Sequence, residues 1–525
     1  MTVLERRQHD AGMRRLYALD RRRDRRPLLW LAALTVLLVG VRAVSMIVVA
    51  QPGYTDAYYV ATVASRLAHG EGLTADFVWN FVEAPRFASL PIPSHRFWMP
   101  LPTLVQAAGI ALLGGPLGDF RAAQVAIVAV AAAIPVVTYV ATRALGGGLV
   151  AALAAAAVAG LGGALAPGWV TLDAFGLAAV LGTLFFLAFA RAARGSLRFA
   201  AVAGLLVGLL YLARAEAALF GLALLWLAGR PRTARAGIVG AAVALAIGLA
   251  WVVRGIALGF PSDLFARAVL LVRYEDFFAL HPPALEPFLA APVDVLAAKA
   301  GALLTNAVTA AVALMIAPLV PLALAIRRRW VRPEVRAFVG LVAAIYLAQS
   351  LLFTLHSVRG SFFHSIAAFF PFAVALAAIG AEELFRASTR GMRRTVWGSA
   401  VGAFAVISVF SIGQWDVDFN TPYRARLAAL PLLPPGPLVV ADAAAWRWIS
   451  GREAVVAPAD GPSSAACAAV VYLARTLILE PAHFSRYDAL YASQRDDVFT
   501  GRGDQGGIRV YAVREDQRCI IAAQQ

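Results

Sequence analysis

Apolar residues arrive in this chain in long unbroken runs, and that arrangement constrains its fold more than any motif does. A run of about 20 apolar residues is long enough to cross the hydrocarbon core of a bilayer as a helix. Inside that core every backbone polar group must be bonded within its own structure, which leaves helices as the form for such runs. They lie at Leu28–Ala50, Phe120–Val140, Leu149–Pro167, Leu172–Phe189, Phe199–Ala213, Ala217–Ala228, Gly237–Leu258, Ala302–Ile326, Ala337–Leu355, Phe362–Ala381 and Val396–Phe410. Hydrophobic residues make up 60% of the chain against 15% charged, too apolar for a soluble protein of 525 residues. The expected fold class is an all-α polytopic membrane protein with about eleven transmembrane helices.

The formal net charge of +16 comes from arginines gathered in short segments between the apolar runs. That placement follows the rule that basic loops stay cytoplasmic, and it gives attraction to anionic lipid heads rather than to nucleic acid. Nine arginines from Arg6 to Arg26 precede the first run, which is too long for a cleaved signal and reads as a retained span. With this N-terminus inside, the loops at Arg143, Arg191–Arg198, Arg230–Arg235, Arg327–Arg336 and Arg386–Arg394 all face the cytoplasm only if Leu101–Leu113 does not cross. That stretch is short and bounded by Pro100, Pro102, Gly114, Gly115 and Pro116, which suits a helix lying at the outer interface. The expected organisation is a basic cytoplasmic N-terminus (1–27), a membrane domain (28–413) with outer segments 51–119 and 259–301, and an extracytoplasmic domain (414–525).

After Phe410 the composition changes. Pro431, Pro434, Pro435 and Gly436 precede short β-type runs at Leu438–Val440, Ala454–Val456, Val470–Leu473 and Ile508–Tyr511, with a helical stretch at Ala443–Ile449. The pattern predicts a small α/β domain. The chain has two cysteines, Cys467 and Cys519, both in this region, which can form one bridge outside the cytoplasm.

Ionisable groups beside membrane spans are costly and mark function or a structural partner. In this topology they converge on the outer ends of helices: Asp56 in Gly53–Tyr59, His95 and Arg96, Asp173, Arg214 and Glu216, Arg254, and His356, Arg359 and His364. Each also has a structural reading. Asp173 can cap a helix, since Asp is favoured at that position. Arg214 and Glu216 can be a plain interfacial ion pair, and Arg254 can snorkel to headgroups. The histidines can be ordinary interfacial residues. Arg42, inside the first run, can snorkel or pair structurally. Asp56 is hardest to explain structurally, because it sits among tyrosines about six residues past the first span. No phosphate-binding loop, dinucleotide-binding glycine turn or zinc-ligand spacing is present.

Asp56 after the first span, Pro93–Pro102 with His95-Arg96-Phe97-Trp98, Thr171-Leu172-Asp173 and Leu212–Glu216 together resemble the GT-C superfamily of membrane glycosyltransferases. The similarity is to the family 39 type, which includes protein O-mannosyltransferases and aminoarabinose transferases. Trp251-Val252-Val253-Arg254 and the stretch Arg359–Pro371 add to it, over roughly residues 28–385. The resemblance implies a polyprenyl-phosphate-sugar donor, Asp56 as catalytic base and Asp173 as a second carboxylate of the site. Ala57 follows Asp56 where many protein mannosyltransferases carry a second acid, so the resemblance does not name the acceptor, which is a glycan, a lipid or a protein.

The chemistry suits these residue types. A carboxylate in hydrogen-bond reach deprotonates an acceptor hydroxyl. A phosphate leaves as an ion and needs cations rather than an acid, and Arg96, Arg214, Arg254 and Arg359 are the candidates. His95, Glu216, His356 and His364 complete the expected substrate- or phosphate-binding set. Two carboxylates can also hold a divalent cation, although no dense acidic motif calls for one. The competing classes are a transporter or flippase of a lipid-linked glycan and a non-catalytic scaffold. A transporter would gather its polar groups near the bilayer midplane in paired repeats; here they gather at one face.

Overall fold

The computed structural model describes residues 25–81, 89–260, 269, 273–280, 285–495 and 497–514. The arginines from Arg6 to Arg23 and Cys519 lie outside the described residues, as do parts of the two outer segments.

The helices follow the hydropathy. They are α1 (Arg26–Val48), α2 (Thr55–Ala68), α3 (Leu101–Ala131), α4 (Ile134–Ala144), α5 (Leu149–Leu161), α6 (Phe175–Ala192), α7 (Leu197–Ala213), α8 (Gly221–Ala228) and α9 (Ala234–Ala257). After α10 (Leu285–Ala290) come α11 (Pro292–Ala313), α12 (Leu319–Arg328), α13 (Pro333–Leu351), α14 (Thr354–His356), α15 (Phe362–Ile366), α16 (Phe370–Leu384), α17 (Arg390–Trp415) and α18 (Thr421–Ala429). Among the described residues seven helices are long and apolar enough to cross a membrane, or nine if each of two bent helix pairs is one span. The shorter apolar helices Leu197–Ala213 and Ala215–Ala228 cover two more of the expected stretches. The chain is a multi-pass membrane protein.

Two expected boundaries move. The run Ala302–Ile326 is not one helix: α11 begins ten residues earlier and ends before Met315 and Ile316, which take left-handed backbone and turn the chain into α12. The stretch Leu101–Leu113 is helical and continues toward α4, but Gly118, at φ 71° and ψ 159°, breaks it. Its first half packs Ala107 and Ile110 against Ala61 and Ala64 of α2.

The main core lies between α4, α5, α6, α7 and α16 and is rich in phenylalanine, with Phe185, Phe186, Phe189, Phe220 and Phe372 fully buried. Lipid gives apolar helices no hydrophobic reason to associate, so close backbone approach matters more. A Cβ on Gly204 of α7 would stand 2.1 Å from the Gly240 carbonyl oxygen of α9. Arg42 of α1 is buried and donates to the Gly160 carbonyl at 3.2 Å, the structural pairing rather than snorkelling.

The C-terminal domain is built on β4 (Leu438–Val440), β5 (Ala454–Val456), β6 (Thr476–Leu479), β7 (Phe499–Gln505) and β8 (Ile508–Val513), with α19 (Ala443–Ser450), α20 (Pro462–Val471) and α21 (Asp488–Ser493). Three very short strands precede these in the first outer segment: β1 (Thr74–Ala75), β2 (Phe77–Val78) and β3 (Ile92–Pro93). The domain's sheet has six strands in the order β2-β5-β4-β6-β8-β7, so its first strand comes from the outer segment. Strands β2, β5, β4 and β6 run parallel, and β8 and β7 are antiparallel additions. Val470–Leu473, expected as a strand, instead ends α20 and turns at left-handed Leu473; a short apolar run reads the same way in helix and strand. The strand lies just beyond, at Thr476–Leu479. Cys467 on α20 is disulfide-bonded.

Filling the α7–α9 contact should loosen the bundle. Gly204→Val is expected to cost at least about 1–3 kcal/mol through overpacking. Gly40→Val, where a Cβ meets nothing within 4 Å, should leave the midpoint unchanged. Thermal unfolding of the purified protein in detergent measures both.

Candidate active site

A cavity of about 1110 Å³ opens where helix ends meet residues of the segments 51–119 and 259–301 and of the C-terminal domain. Of the ten residues expected at a site, nine line it: Asp56, His95, Arg96, Asp173, Arg214, Glu216, His356, Arg359 and His364. Arg254 sits beside it, between the lining residues Val252 and Gly255.

One wall is a carboxylate–imidazole–guanidinium cluster. Asp173 precedes α6, in the connection after the bent Gly163–Trp169 turn, and its side chain is only 6% exposed. Its Oδ1 accepts from the Ala174 backbone N–H at 2.5 Å, and its Oδ2 accepts from the Tyr54 hydroxyl at 2.6 Å. The helix-cap reading does not hold: the N-cap of α6 is Ala174, which has no side-chain capping bond, and Asp173 stands one residue before it. His364 Nδ1 lies 3.2 Å from the same Oδ2 and 3.0 Å from Arg214 Nη1. One neighbour of Nδ1 only accepts and the other only donates, so a single protonation state cannot serve both. Arg214 is held by Glu216 at 2.5 Å and by the Ser361 hydroxyl at 3.1 Å. Glu216 also accepts from Ser365 at 2.6 Å. It is an ion pair, but one tied into the cavity wall.

Asp56 stands in the first turn of α2 and faces this cluster. Oxygen atoms of Asp56 and Asp173 and a ring nitrogen of His364 all lie within 4.8 Å of one another. Burial, and then the Asp173 charge, push the Asp56 carboxyl up to about 6, against the pull of His364 and Arg214. Burial would also raise Asp173, but His364, Arg214 and the Tyr54 hydroxyl outweigh it and hold that carboxyl well below the usual range. The pair is thus split, with Asp173 held toward the charged form and Asp56 pushed toward the neutral one.

His95 and Arg96 also line the cavity, and Arg254 stands next to it. His95 is buried with left-handed backbone at φ 60°, a conformation uncommon outside glycine. Its backbone N–H donates to the Tyr59 hydroxyl at 2.5 Å. Its Nδ1 meets the Trp98 carbonyl at 3.2 Å; a carbonyl only accepts, so Nδ1 carries the proton. Nε2 is then a lone pair, with no partner among the described residues. Burial pushes this ring down to about 3, so it stays neutral. Arg254 donates twice to the Ser94 carbonyl, at 3.3 Å, and stacks over Trp251 and Phe260. Arg96 lies over the same Phe260 ring, at 4.8 Å. His356 is enclosed by Phe97, Tyr274 and Phe277. Arg359 is the outlier: 59% exposed, over Tyr274 and 4.0 Å from Glu275.

Sequence reasoning missed three cavity groups. Tyr54 was seen as an apolar neighbour of Asp56, not as the hydroxyl that binds Asp173. Tyr274 and Asp442 also line the cavity. The one sequence signal for Asp442 was its place just before the helical stretch 443–449, where Asp suits an N-cap.

No family model and no curated protein sequence matches the chain. Solved structures do. An oligosaccharyltransferase of Archaeoglobus fulgidus, tethered to an acceptor peptide, matches with a TM-score of 0.53 at 14% identity, over 94% of this chain and 74% of its own. ArnT from Cupriavidus metallidurans matches with a TM-score of 0.52 in its apo state, at 15% identity, over 92% of this chain and 98% of its own. The same protein bound to undecaprenyl phosphate also gives 0.52, at 14% identity and the same coverage. Each match covers at least 92% of this chain, and together they show that it shares the fold of these proteins.

Proposed function

We propose that this protein transfers a sugar from a polyprenyl-phosphate donor to an acceptor hydroxyl on the extracytoplasmic face, with inversion at the anomeric carbon. The observation that carries the reading is a cavity lined both by Asp56, a carboxyl raised to about 6, and by the guanidinium groups of Arg96 and Arg214, with Arg254 next to it. Structures of the same fold bound to undecaprenyl phosphate and to a dolichol-phosphate support a lipid phosphate as the donor's carrier.

Asp56 takes the proton of the acceptor hydroxyl. The oxygen attacks the anomeric carbon, the carbon–oxygen bond to phosphate breaks, and its electron pair leaves with the polyprenyl phosphate. Asp173, whose carboxyl is held well below the usual range, and Arg214 set the field around Asp56. Among the described residues no carboxylate pairs with Arg254, which leaves donors for the phosphate. Arg96 beside the same Phe260 ring is its companion. The neutral lone pair of His95 suits a sugar hydroxyl, which donates, better than a phosphate oxygen, which accepts.

Asp56, Asp173 and His364 offer two carboxylate oxygens and an imidazole nitrogen, a donor set that fits a divalent cation. The divided demand on His364 Nδ1 is an observation in its favour. Such an ion, when bound, would supply positive charge beside the acceptor oxygen.

Three outcomes test this. Asp56→Asn should lower transfer of labelled sugar in membranes retaining native acceptors by about 10²–10⁴-fold; equal transfer by both proteins removes Asp56 from catalysis. Because ionised Asp56 is the base, the metal-free rate should rise with pH through about 6 and flatten above it; a flat profile from pH 5 to 8 sinks the assignment. Arg254→Ala should cost roughly 10²–10³-fold, against less than about 10-fold for exposed Arg359→Ala. Separately, a chelator should abolish transfer and manganese restore it if the cation is used; full activity in chelator excludes it.

A further inference from the structure

We infer that Asp442, contributed by the C-terminal domain, is a positioning residue of the transfer site: one carboxylate fixes the first turns of two helices, one of which carries Asp56. The inference rests on the reading of Asp56 as the base.

The geometry is a shared cap. Asp442 is the N-cap of α19, where its Oδ1 accepts from the Ala445 backbone N–H at 3.2 Å. Its Oδ2 accepts from the Thr55 hydroxyl at 3.1 Å. Thr55 is the first residue of α2, whose own N-cap, Tyr54, makes no side-chain capping bond. The orphan start of α2 is therefore anchored by a side chain 387 residues away, and the next residue along is Asp56. Asp442 and Thr55 both line the cavity.

Asp442 is itself held from behind. Arg426 Nη2 stands 3.9 Å from its Oδ2 while gripping Glu480 at 2.9 Å, and Trp446 Nε1 donates to Glu480 at 2.7 Å. A second clamp joins the same two helices further along. Asp76 accepts from Arg66 of α2 at 2.8 Å and from Arg447 of α19 at 2.6 Å. Strand β2, immediately after Asp76, then enters the domain's sheet beside β5. The catalytic helix thus has no freedom to tilt without moving the C-terminal domain.

A purely local role, capping α19, predicts something different. Thr55→Val removes only the bond across the domain boundary and leaves the α19 cap intact, whereas Asp442→Ala removes both. If Asp442 positions Asp56, each variant lowers turnover by roughly 10- to 100-fold with KM unchanged, as misplacement of a reacting group does. The double variant is then no worse than Asp442→Ala, because the two act through one bond. Thr55→Ser, which keeps the hydroxyl, restores the rate. Hydrogen exchange of the full-length protein supplies a readout that needs no sugar donor. Amides 56–59 should exchange at least about 10-fold faster in Thr55→Val, with those of α19 unchanged. Turnover and exchange at wild-type values in Thr55→Val overturn the inference and leave Asp442 a cap of its own helix. If the wild type transfers no sugar from any polyprenyl-phosphate donor offered, the transferase reading fails on its own, and the exchange experiment still decides whether Asp442 fixes α2.

Discussion

The arrangement around the cavity depends on one buried negative charge. An ionised carboxylate taken out of water is tolerated only when paired and hydrogen-bonded. Asp173 meets that condition with the Tyr54 hydroxyl, the Ala174 N–H and His364, and Arg214 completes the charge balance. These partners come from the start of α2, the start of α6, the end of α7 and α15. Satisfying one carboxylate therefore draws four chain segments to a common point. Arg214 extends the set through Glu216 and Ser365 to Gln349 of α13.

That same charge gives Asp56 its character. Two carboxylates this close do not ionise equally, and the one with more partners takes the charge. Asp173 has the hydrogen bonds from Tyr54 and His364; Asp56 feels the charge of His364 and Arg214, but burial and the Asp173 charge outweigh it. Pairs of acids whose environments push them apart are how one site divides its labour between a fixed charge and a mobile proton. The asymmetry comes from Tyr54 and His364, not from any difference between the two aspartates.

The membrane helices were legible because hydropathy acts residue by residue: each expected apolar stretch is helical here, with shifts where Met315, Ile316 and Gly118 break the run. The candidate site was legible for a related reason. Charges are so disfavoured beside spans that those present stand out, and counting loops placed them on one face. Contacts without local pattern were hidden. Strand β2 has two residues, too few for any periodicity, and its residues pair with ones 377 positions later, Phe77 with Ala454 and Val78 with Val455. His95 gives no sign in sequence that its backbone is left-handed or that Trp98 fixes its tautomer. The arginines could not be ranked, because what places Arg254 is the Ser94 carbonyl, 160 residues away.

A two-residue strand pairing is weak by itself, as short isolated strands are. What holds the outer segment to the C-terminal domain is a common core: Phe77, Trp79, Phe277, Phe278, Trp446 and Val455 belong to one buried cluster. This cluster contains residues of both outer segments and of the domain, and its aromatic rings form one rim of the cavity. Asp173 and Arg214 stand at helix ends of the membrane bundle, whereas Asp56 stands on α2, which the C-terminal domain clamps through Asp442 and Arg447. On the proposed reading, whatever distinguishes one acceptor from another must be read by the outer rim, where α19, the segment around Tyr274 and the Trp79–Trp98 stack come together.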